Sequence, residues 1–192
     1  LAEAYHRSLA TTAAERGFIG PKEVDRLWER HILNCAVIAE AFGPGLKVAD
    51  IGSGAGLPGI PLAIARPDLS ITLIEPLLKR STYLGEVIAE LGLDNVTVVR
   101  GRAEEQPKAA FDAVTSRAVA PLGKLAGWSI PLLQGGGYMI AMKGESVAEE
   151  LERDQKEIAK AGGVDAEILT VGASALEQPT TLIRIQRKKK GA

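Results

Sequence analysis

The stretch LKVADIGSGAGLPGIPLAIARPDLSITLIEP, residues 46–76, decides the fold. Lys47 to Ile51 is a short apolar run of the kind that forms a buried parallel strand. Glycines at alternate positions follow, and Leu57 to Arg66 then predicts a helix with Pro58 in its first turn, where the missing N–H costs nothing. Ser70 to Ile74 predicts a second strand, which ends on Glu75. Such a strand, turn, helix and strand unit binds its ligand outside the carboxyl ends of the strands.

The glycine turn indicates a nucleotide-type cofactor, and its acidic neighbours indicate which one. Gly54, Gly56 and Gly59 spell G-x-G-x-x-G, so a dinucleotide such as NAD is allowed. Against NAD stands Asp50, because a pyrophosphate at the helix N-terminus would be repelled by this carboxylate. S-adenosylmethionine instead carries a sulfonium and an ammonium, which Asp50 would favour, while Glu75 can accept hydrogen bonds from its ribose. A purely structural turn explains one or two glycines, but not three glycines beside two acids. We therefore favour S-adenosylmethionine.

Composition indicates an ordinary soluble globular protein. With 192 residues, of which 46% are hydrophobic and 24% charged, we expect one domain over residues 1–192. No apolar run approaches the roughly 20 residues of a membrane span, and no signal peptide is visible. The single cysteine suits a reducing cytoplasm, and metal-site spacing is absent. We expect a cytoplasmic monomer without membrane or metal partners, and further N-terminal sequence, since the chain begins at Leu1 rather than Met.

Residues 1–44 are predicted to form a helical segment that precedes the sheet. It contains one helix from Leu1 to Arg16 and a stronger one from Pro21 to Phe42. The buried face of the second helix is given by helical spacing and consists of Val24, Leu27, Trp28, His31, Cys35, Ile38 and Phe42. We interpret Cys35 as a core residue and His31 as a partly buried histidine with satisfied contacts. Arg30 lies on a flank that is either solvated or a polar rim over the cofactor pocket.

Residues 45–187 are predicted to form the Rossmann-like core, and residues 188–192 a basic tail. Further strands are expected at residues 95–99, 111–115, 138–142, 166–171 and 181–186, the last two as an antiparallel pair, with helices at 79–91, 121–133 and 146–161. The glycine run 135–137 is interpreted as the turn into the fifth strand. This alternation predicts an α/β fold with a mostly parallel sheet and helices on both faces. Polar or special residues at successive strand ends should line one rim: Asp50 to Gly56, Glu75, Ala103 with Glu104, Ser116 with Arg117, and Lys143.

Four motifs resemble the RsmG (GidB) family of bacterial methyltransferases, which methylate N7 of a guanine in 16S ribosomal RNA. They are RHILN at 30–34, DIGSGAGLPGIPLAI at 50–64, SRA at 116–118 and MKG at 142–144. The resemblance implies the class I S-adenosylmethionine-dependent methyltransferase fold, with seven strands, the last antiparallel, and extra N-terminal helices. It also implies that Gly52, Leu57, Ala103, Glu104 and Arg117 contact the cofactor, with Arg117 near the transferred methyl group and the RNA. The chain departs from the family at its N-terminus, where the family has a longer helical segment.

The residues themselves are compatible with methylation of guanine N7. This nitrogen has an in-plane lone pair and no proton at neutral pH, so alignment and desolvation can drive the transfer without a general base. The fourth strand delivers Ser116 and Arg117, and a guanidinium can contact guanine O6 and phosphate. The alternative for Arg117 is a surface ion pair with Glu104 or Glu105. For Lys143, a phosphate contact and an ordinary exposed lysine both stay open.

Three functions follow from these observations. The leading one is methylation of N7 of a specific guanine in 16S rRNA, within the 30S subunit, with Arg30, Arg117 and Lys143 binding the RNA. The second is a class I methyltransferase acting on a small molecule or protein, which would favour an apolar lid, whereas aromatic residues make up only 4% of this chain. The third is a non-catalytic nucleotide-binding or ribosome-associated module, which the intact Asp50 and glycine turn disfavour.

Overall fold

A seven-stranded sheet forms the centre of the computed structural model, which describes residues 1–117 and 120–191. The strands are β1 (Lys47–Ile51), β2 (Ser70–Glu75), β3 (Val96–Arg100), β4 (Phe111–Arg117), β5 (Leu133–Met142), β6 (Gly163–Val171) and β7 (Thr180–Arg187). They lie in the order β3-β2-β1-β4-β5-β7-β6. Strands β1 to β5 pair in parallel, whereas β7 is antiparallel to both β5 and β6. The predicted mostly parallel sheet with an antiparallel last strand is confirmed.

Helices pack on both faces of this sheet. They are α1 (Ala2–Ser8), α2 (Asn34–Ala36), α3 (Gly59–Ala65), α4 (Leu78–Leu91), α5 (Leu122–Ser129), α6 (Val147–Arg153) and α7 (Gln155–Lys160). Alternate side chains of the strands enter two cores. Val48 and Leu73 belong to the core shared with α3, α4 and the N-terminal helices, whereas Ile51 and Val114 belong to the core shared with α5 and α7. Both faces are therefore covered, as a parallel sheet requires.

The N-terminal segment, residues 1–42, is less regular than predicted. From Pro21 the chain forms a 3₁₀-helix (Pro21–Arg26), a π-helix (Leu27–Leu33), the short α2 and a second 3₁₀-helix (Val37–Ala41). Leu27 and Ile32 are both buried although five residues apart, which is the spacing of a π turn, and Trp28, predicted to be buried, is 37% exposed. The prediction of one continuous α-helix from Pro21 to Phe42 was wrong. The side chains that pack against the core, such as Leu27 and Ile32, do not follow α-helical spacing.

The glycine run 135–137 lies inside strand β5, not in a turn before it. β5 begins at Leu133, and its register against β4 shifts between Phe111 and Ala113. A Cβ at Gly137 would lie 2.6 Å from the carbonyl oxygen of Asp112. The glycines therefore permit a close approach of two strands at an irregular register, which corrects the turn prediction.

The carboxyl ends of the parallel strands meet along one rim, where the predicted site residues lie. The start of β7 reaches the same rim because this strand runs in the opposite direction. Ala118, part of the third resemblance motif, and Ala192 of the basic tail lie outside the described residues. The division into segments 1–44, 45–187 and 188–192 stays a prediction. In the described part of the chain, no helix combines the length and apolar character needed to cross a membrane.

Candidate active site

The glycine turn after β1 is held from two sides. The Gly52 N–H donates to the carbonyl oxygen of Ile74 in β2 at 2.9 Å. The hydroxyl of Tyr5 in α1 donates to the carbonyl oxygen of Ala55 at 2.8 Å. Gly52, Gly54 and Gly56 all adopt positive φ, at 66°, 57° and 102°, a conformation that other residues rarely adopt. The turn therefore depends on its glycines and has a fixed shape, with its backbone at the rim.

Glu75 supports this turn from the end of β2. Its Oε1 accepts the Gly54 N–H at 3.0 Å, and its Oε2 accepts the Leu77 N–H at 2.7 Å. The residue is only 2% exposed although it ends a strand at the rim. Each carboxylate oxygen has a second acceptor site, and a role toward ribose hydroxyls stays a prediction.

Asp50 is completely buried beneath the turn. Its Oδ2 accepts the N–H of Gly59, the first residue of α3, at 3.0 Å. Its Oδ1 has no hydrogen-bond partner among the described residues. Burial is the largest cause that raises the pKa of Asp50 to about 7, and the charge of Glu75 adds to it. A buried carboxylate with one unsatisfied oxygen is a group that a cationic ligand would stabilise.

An apolar cavity of about 170 Å³ lies beside the turn, between the ends of β1 and β2 and the segment after β3. Its walls contain three of the predicted cofactor residues, Gly52, Ala103 and Glu104. The other lining residues are Ile51, Ile74, Pro76, Gly101, Arg102 and Trp128. Sequence reasoning missed Trp128, because nothing distinguishes it from the other apolar residues of its helix.

Gly56 and Leu57, two of the predicted cofactor residues, line neither this cavity nor the larger one described below. A Cβ on Gly56 would lie 2.5 Å from Ile60 Cδ1, and Leu57 is buried in the core.

A second cavity, of about 510 Å³, opens at the ends of β4 and β5 and the start of β7, against the N-terminal segment. All three residues predicted to bind RNA line it: Arg30, Arg117 and Lys143. They are joined there by Glu23, His31, Asn34, Met142, Gly144, Glu150, Thr180 and Thr181. The polar character of this lining suits a polar substrate. Glu23, Glu150, Thr180 and Thr181 carry no sequence motif, and only their position in the fold reveals them.

Arg117 is anchored in this cavity by the N-terminal segment. Its Nη2 lies 2.8 Å from His31 Nδ1, and its Nη1 lies 3.5 Å from Cys35 Sγ. On the opposite side of the imidazole ring, His31 Nε2 lies 2.7 Å from Glu23 Oε2. Burial lowers the pKa of His31, while the hydrogen bond from His31 lowers that of Glu23. Among the described residues, the contacts of Arg117 are with His31 and Cys35, not with Glu104 or Glu105.

Lys143 and Arg30 present their charges differently. Lys143 Nζ donates to the Ala120 carbonyl oxygen at 3.0 Å and pairs with Glu150 Oε1 at 3.1 Å. Its side chain is only 9% exposed, so it is not an ordinary exposed lysine, and a phosphate contact stays a prediction. The Arg30 side chain is 57% exposed and lies 3.5 Å from Glu23 Oε1. Arg30 is thus the more accessible cation.

The sequence of the chain matches a family of known proteins. The family model described as rRNA small subunit methyltransferase G, GidB, matches residues 1–179. The ribosomal RNA small subunit methyltransferase G of Corynebacterium glutamicum is 70% identical over 190 residues, covering 97% of this chain and 85% of that protein. Its namesake in Rhodococcus jostii is 56% identical over 194 residues, covering 99% of this chain and 85% of that protein.

Solved structures show the same fold at low sequence identity. TYW2 of M. jannaschii in complex with AdoMet matches with a TM-score of 0.62 and 21% identity, covering 81% of this chain and 73% of that one. A SAM-dependent O-methyltransferase from Thermotoga maritima matches with a TM-score of 0.65 and 15% identity, covering 88% and 71% respectively. The architecture is therefore that of S-adenosylmethionine-dependent methyltransferases.

Proposed function

The chain belongs to the rRNA small subunit methyltransferase G family, and on this premise we propose that it transfers the methyl group of S-adenosylmethionine to N7 of a guanine in 16S ribosomal RNA. The observation that carries the proposal is that two different cavities open at one rim. The smaller is apolar and adjoins the glycine turn, and the larger is lined mainly by charged and polar residues, among them Arg117. The first suits a cofactor and the second suits a nucleotide.

The residues around the smaller cavity fit S-adenosylmethionine. The cavity is mainly apolar, as an adenine ring requires, and the buried Asp50 Oδ1 without a partner favours a nearby cation. In the proposal Gly52, Ala103 and Glu104 surround the adenosine, and Glu75 accepts hydrogen bonds from the ribose. Asp50, with Gly54, Gly56 and Leu57, maintains the turn against which the methionyl part lies. When bound, the cofactor supplies a methyl group activated by its sulfonium.

Arg117 is the proposed catalytic residue, acting by orienting the base. Its guanidinium can donate to O6, which neighbours N7 on the same edge of guanine. N7 is already nucleophilic, so no side chain needs to remove a proton. The geometry is compatible with this, because both ring nitrogens of His31 are engaged by Glu23 and Arg117. Arg30 completes the proposed RNA-binding side of the cavity, whereas Lys143, which the sequence also suggested for RNA binding, is paired with Glu150 in the cavity wall.

The proposed substrate is the 30S subunit, on which a cytoplasmic monomer would act. A small-molecule or protein methyltransferase is the weaker candidate, because the larger cavity is lined by Glu23, Arg30, Arg117, Lys143 and Glu150 rather than by an apolar lid. A non-catalytic module is weaker still, because the glycine turn adjoins an apolar cavity and the buried Asp50 Oδ1 has no partner among the described residues, a combination that suits S-adenosylmethionine.

Tritiated methyl transfer tests the proposal. The chain is incubated with labelled S-adenosylmethionine and 30S subunits that lack endogenous methylation, with naked 16S rRNA and bulk protein as parallel substrates. Digestion to nucleosides should recover the label as 7-methylguanosine. Label in another nucleoside would remove the N7 assignment, and label in protein would favour the second candidate. Arg117→Lys is the matched variant, since it keeps the charge but loses the planar fork, and it should lower turnover.

A further inference from the structure

His31 connects two parts of the chain that the sequence separates by 86 positions. It lies in the π-helix of the N-terminal segment, whereas its partner Arg117 ends strand β4. The imidazole is sandwiched between the Arg117 guanidinium at 2.8 Å and the Glu23 carboxylate at 2.7 Å. Its side chain is 12% exposed. The three residues form one continuous array along the wall of the larger cavity.

The chemistry of the three groups fixes where the imidazole proton lies. A guanidinium can only donate, so His31 Nδ1 must accept the hydrogen bond from Arg117 Nη2. The proton of the neutral ring then lies on Nε2 and is donated to Glu23 Oε2, which as a carboxylate can only accept. Glu23 thereby selects the tautomer whose free lone pair faces Arg117.

We propose that His31 is a positioning residue, which holds the Arg117 guanidinium at the base-binding cavity through Nδ1 while Glu23 fixes its tautomer. The proposal deepens the function proposed above and rests on it. An arginine side chain at a strand end has several rotatable bonds, and ordering it costs conformational entropy. The contacts with His31 and Cys35 occupy Nη2 and Nη1 before any substrate arrives. The guanidinium is thus preorganised, with its other N–H groups left for the base.

Protonation of His31 would disrupt this array. The imidazolium carries a proton on Nδ1 as well, which would face an N–H of Arg117, so the hydrogen bond is lost and two cations face each other. The charges near His31 are those of Glu23, Arg117 and Arg30, with the Lys143–Glu150 pair on the same cavity. Burial, Arg117 and Arg30 lower the pKa of His31, and Glu23 opposes them. The ring is therefore neutral at physiological pH, and acidification should release Arg117.

Matched variants separate positioning from general-base catalysis. His31→Asn places an amide oxygen near the position of Nδ1 but cannot take a proton. His31→Gln carries its amide group farther out, and His31→Ala has no hydrogen-bonding group. Single-turnover methylation of 30S subunits should fall about 10–100-fold in His31→Ala and His31→Gln, the usual cost of losing a supporting partner. His31→Asn should recover most of that loss. S-adenosylmethionine affinity, measured by calorimetry, should be unchanged in all three, because His31 does not line the cofactor cavity.

The pH profile supplies a readout that a purely structural role would not move. At saturating S-adenosylmethionine, where the pH dependence of cofactor affinity does not contribute, the wild-type rate should fall as the pH drops through the pKa of His31. This acid limb should be absent in His31→Asn. In Glu23→Gln the limb should shift to lower pH, since Glu23 raises the pKa of His31. His31→Asn as inactive as His31→Ala would overturn the proposal, and so would His31→Ala with wild-type turnover.

The tautomer can be tested without any methylation. Nitrogen-15 NMR of the imidazole at neutral pH should show the proton on Nε2, and a proton on Nδ1 would overturn the proposal whatever the enzyme methylates. A wild-type chain that forms no 7-methylguanosine, yet shows the Nε2–H tautomer, would instead contradict the proposed function and leave the array intact. The two failures are therefore distinguishable.

Discussion

The Asp50 carboxylate and the backbone of Gly59 are in such close contact that residue 59 has no room for a side chain. Asp50 Oδ2 accepts the Gly59 N–H at 3.0 Å. A Cβ at residue 59 would lie 2.6 Å from that oxygen and 2.3 Å from Leu73 Cδ2. Gly59, which completes the G-x-G-x-x-G pattern, is thus required by helix packing against β1 and β2, not by a positive φ.

Gly59→Ala should therefore destabilise the protein. Relieving the overlap requires α3 to move away from the sheet, at a cost of about 1–3 kcal/mol in the free energy of unfolding. Urea denaturation measures this quantity directly. The matched control is Gly85→Ala in α4, where an added Cβ meets nothing within 4 Å, and which should be neutral or stabilising by up to about 1 kcal/mol. Equal effects at both positions would contradict the packing argument.

Cofactor affinity should depend on pH through Asp50. The pKa of this buried carboxyl is raised to about 7, so near neutral pH the free protein contains both protonated and ionised forms. A bound sulfonium favours the ionised form. The ionised fraction rises from about one tenth at pH 6 to about nine tenths at pH 8, so the affinity for S-adenosylmethionine should rise about tenfold over this range.

Calorimetry at several pH values, in buffers of different ionisation enthalpy, measures both the affinity and the proton released on binding. S-adenosylhomocysteine lacks the sulfonium charge, so its affinity should depend less on pH than that of S-adenosylmethionine. Asp50→Asn should bind S-adenosylmethionine more weakly and without the rise. Equal pH dependence for the two ligands would show that Asp50 does not sense the sulfonium.

The alternation of strands and helices, and the shared rim at the ends of the parallel strands, could be predicted because they depend on local patterns. The apolar runs, the glycine turn and the acids near the strand ends all lie within short stretches whose spacing is visible in the sequence. The burial of Lys143 and its pairing with Glu150 could not be predicted in this way. Its burial depends on Glu150 in α6 and on the Ala120 carbonyl group, and these are brought together only by the fold.

The contact of Arg117 with His31 was hidden for a further reason. The helical pattern around residue 31 correctly indicated a partly buried histidine, but a buried face does not identify what lies opposite it. The π-helix also changes which side chains share a face, so Trp28 is exposed where α-helical spacing predicted burial. Tertiary packing, not propensity, decides the conformation of this segment.

Glu75→Ala should weaken both the fold and cofactor binding. The substitution leaves the N–H groups of Gly54 and Leu77 without their acceptor, and each orphaned group costs about 1–3 kcal/mol if it stays buried. Urea denaturation should show the loss of stability, and calorimetry at a temperature where the variant is folded should show the loss of affinity. Glu152→Ala, at an exposed position of α6, is the control and should change neither. A fully stable Glu75→Ala would contradict the supporting role of this carboxylate.

Arg30 and Lys143 should affect RNA binding in different ways. Arg30 is 57% exposed, so Arg30→Ala should weaken binding to 30S subunits and reduce the slope of log affinity against log salt by about 1, as expected for one phosphate contact.

Lys143 is already paired with Glu150, whose side chain is 15% exposed. Lys143→Ala should remove the nearer of the two cations beside that carboxylate, which keeps the Leu122 N–H at 3.1 Å and Arg153 at 3.9 Å. The free energy of unfolding should fall by about 1–3 kcal/mol, the usual size for a hydrogen bond to a charged group, with little change in the salt slope. Filter binding over a range of salt concentrations and urea denaturation separate the two effects. A stable Lys143→Ala whose salt slope falls as much as that of Arg30→Ala would show that Lys143 leaves Glu150 to bind phosphate in the complex.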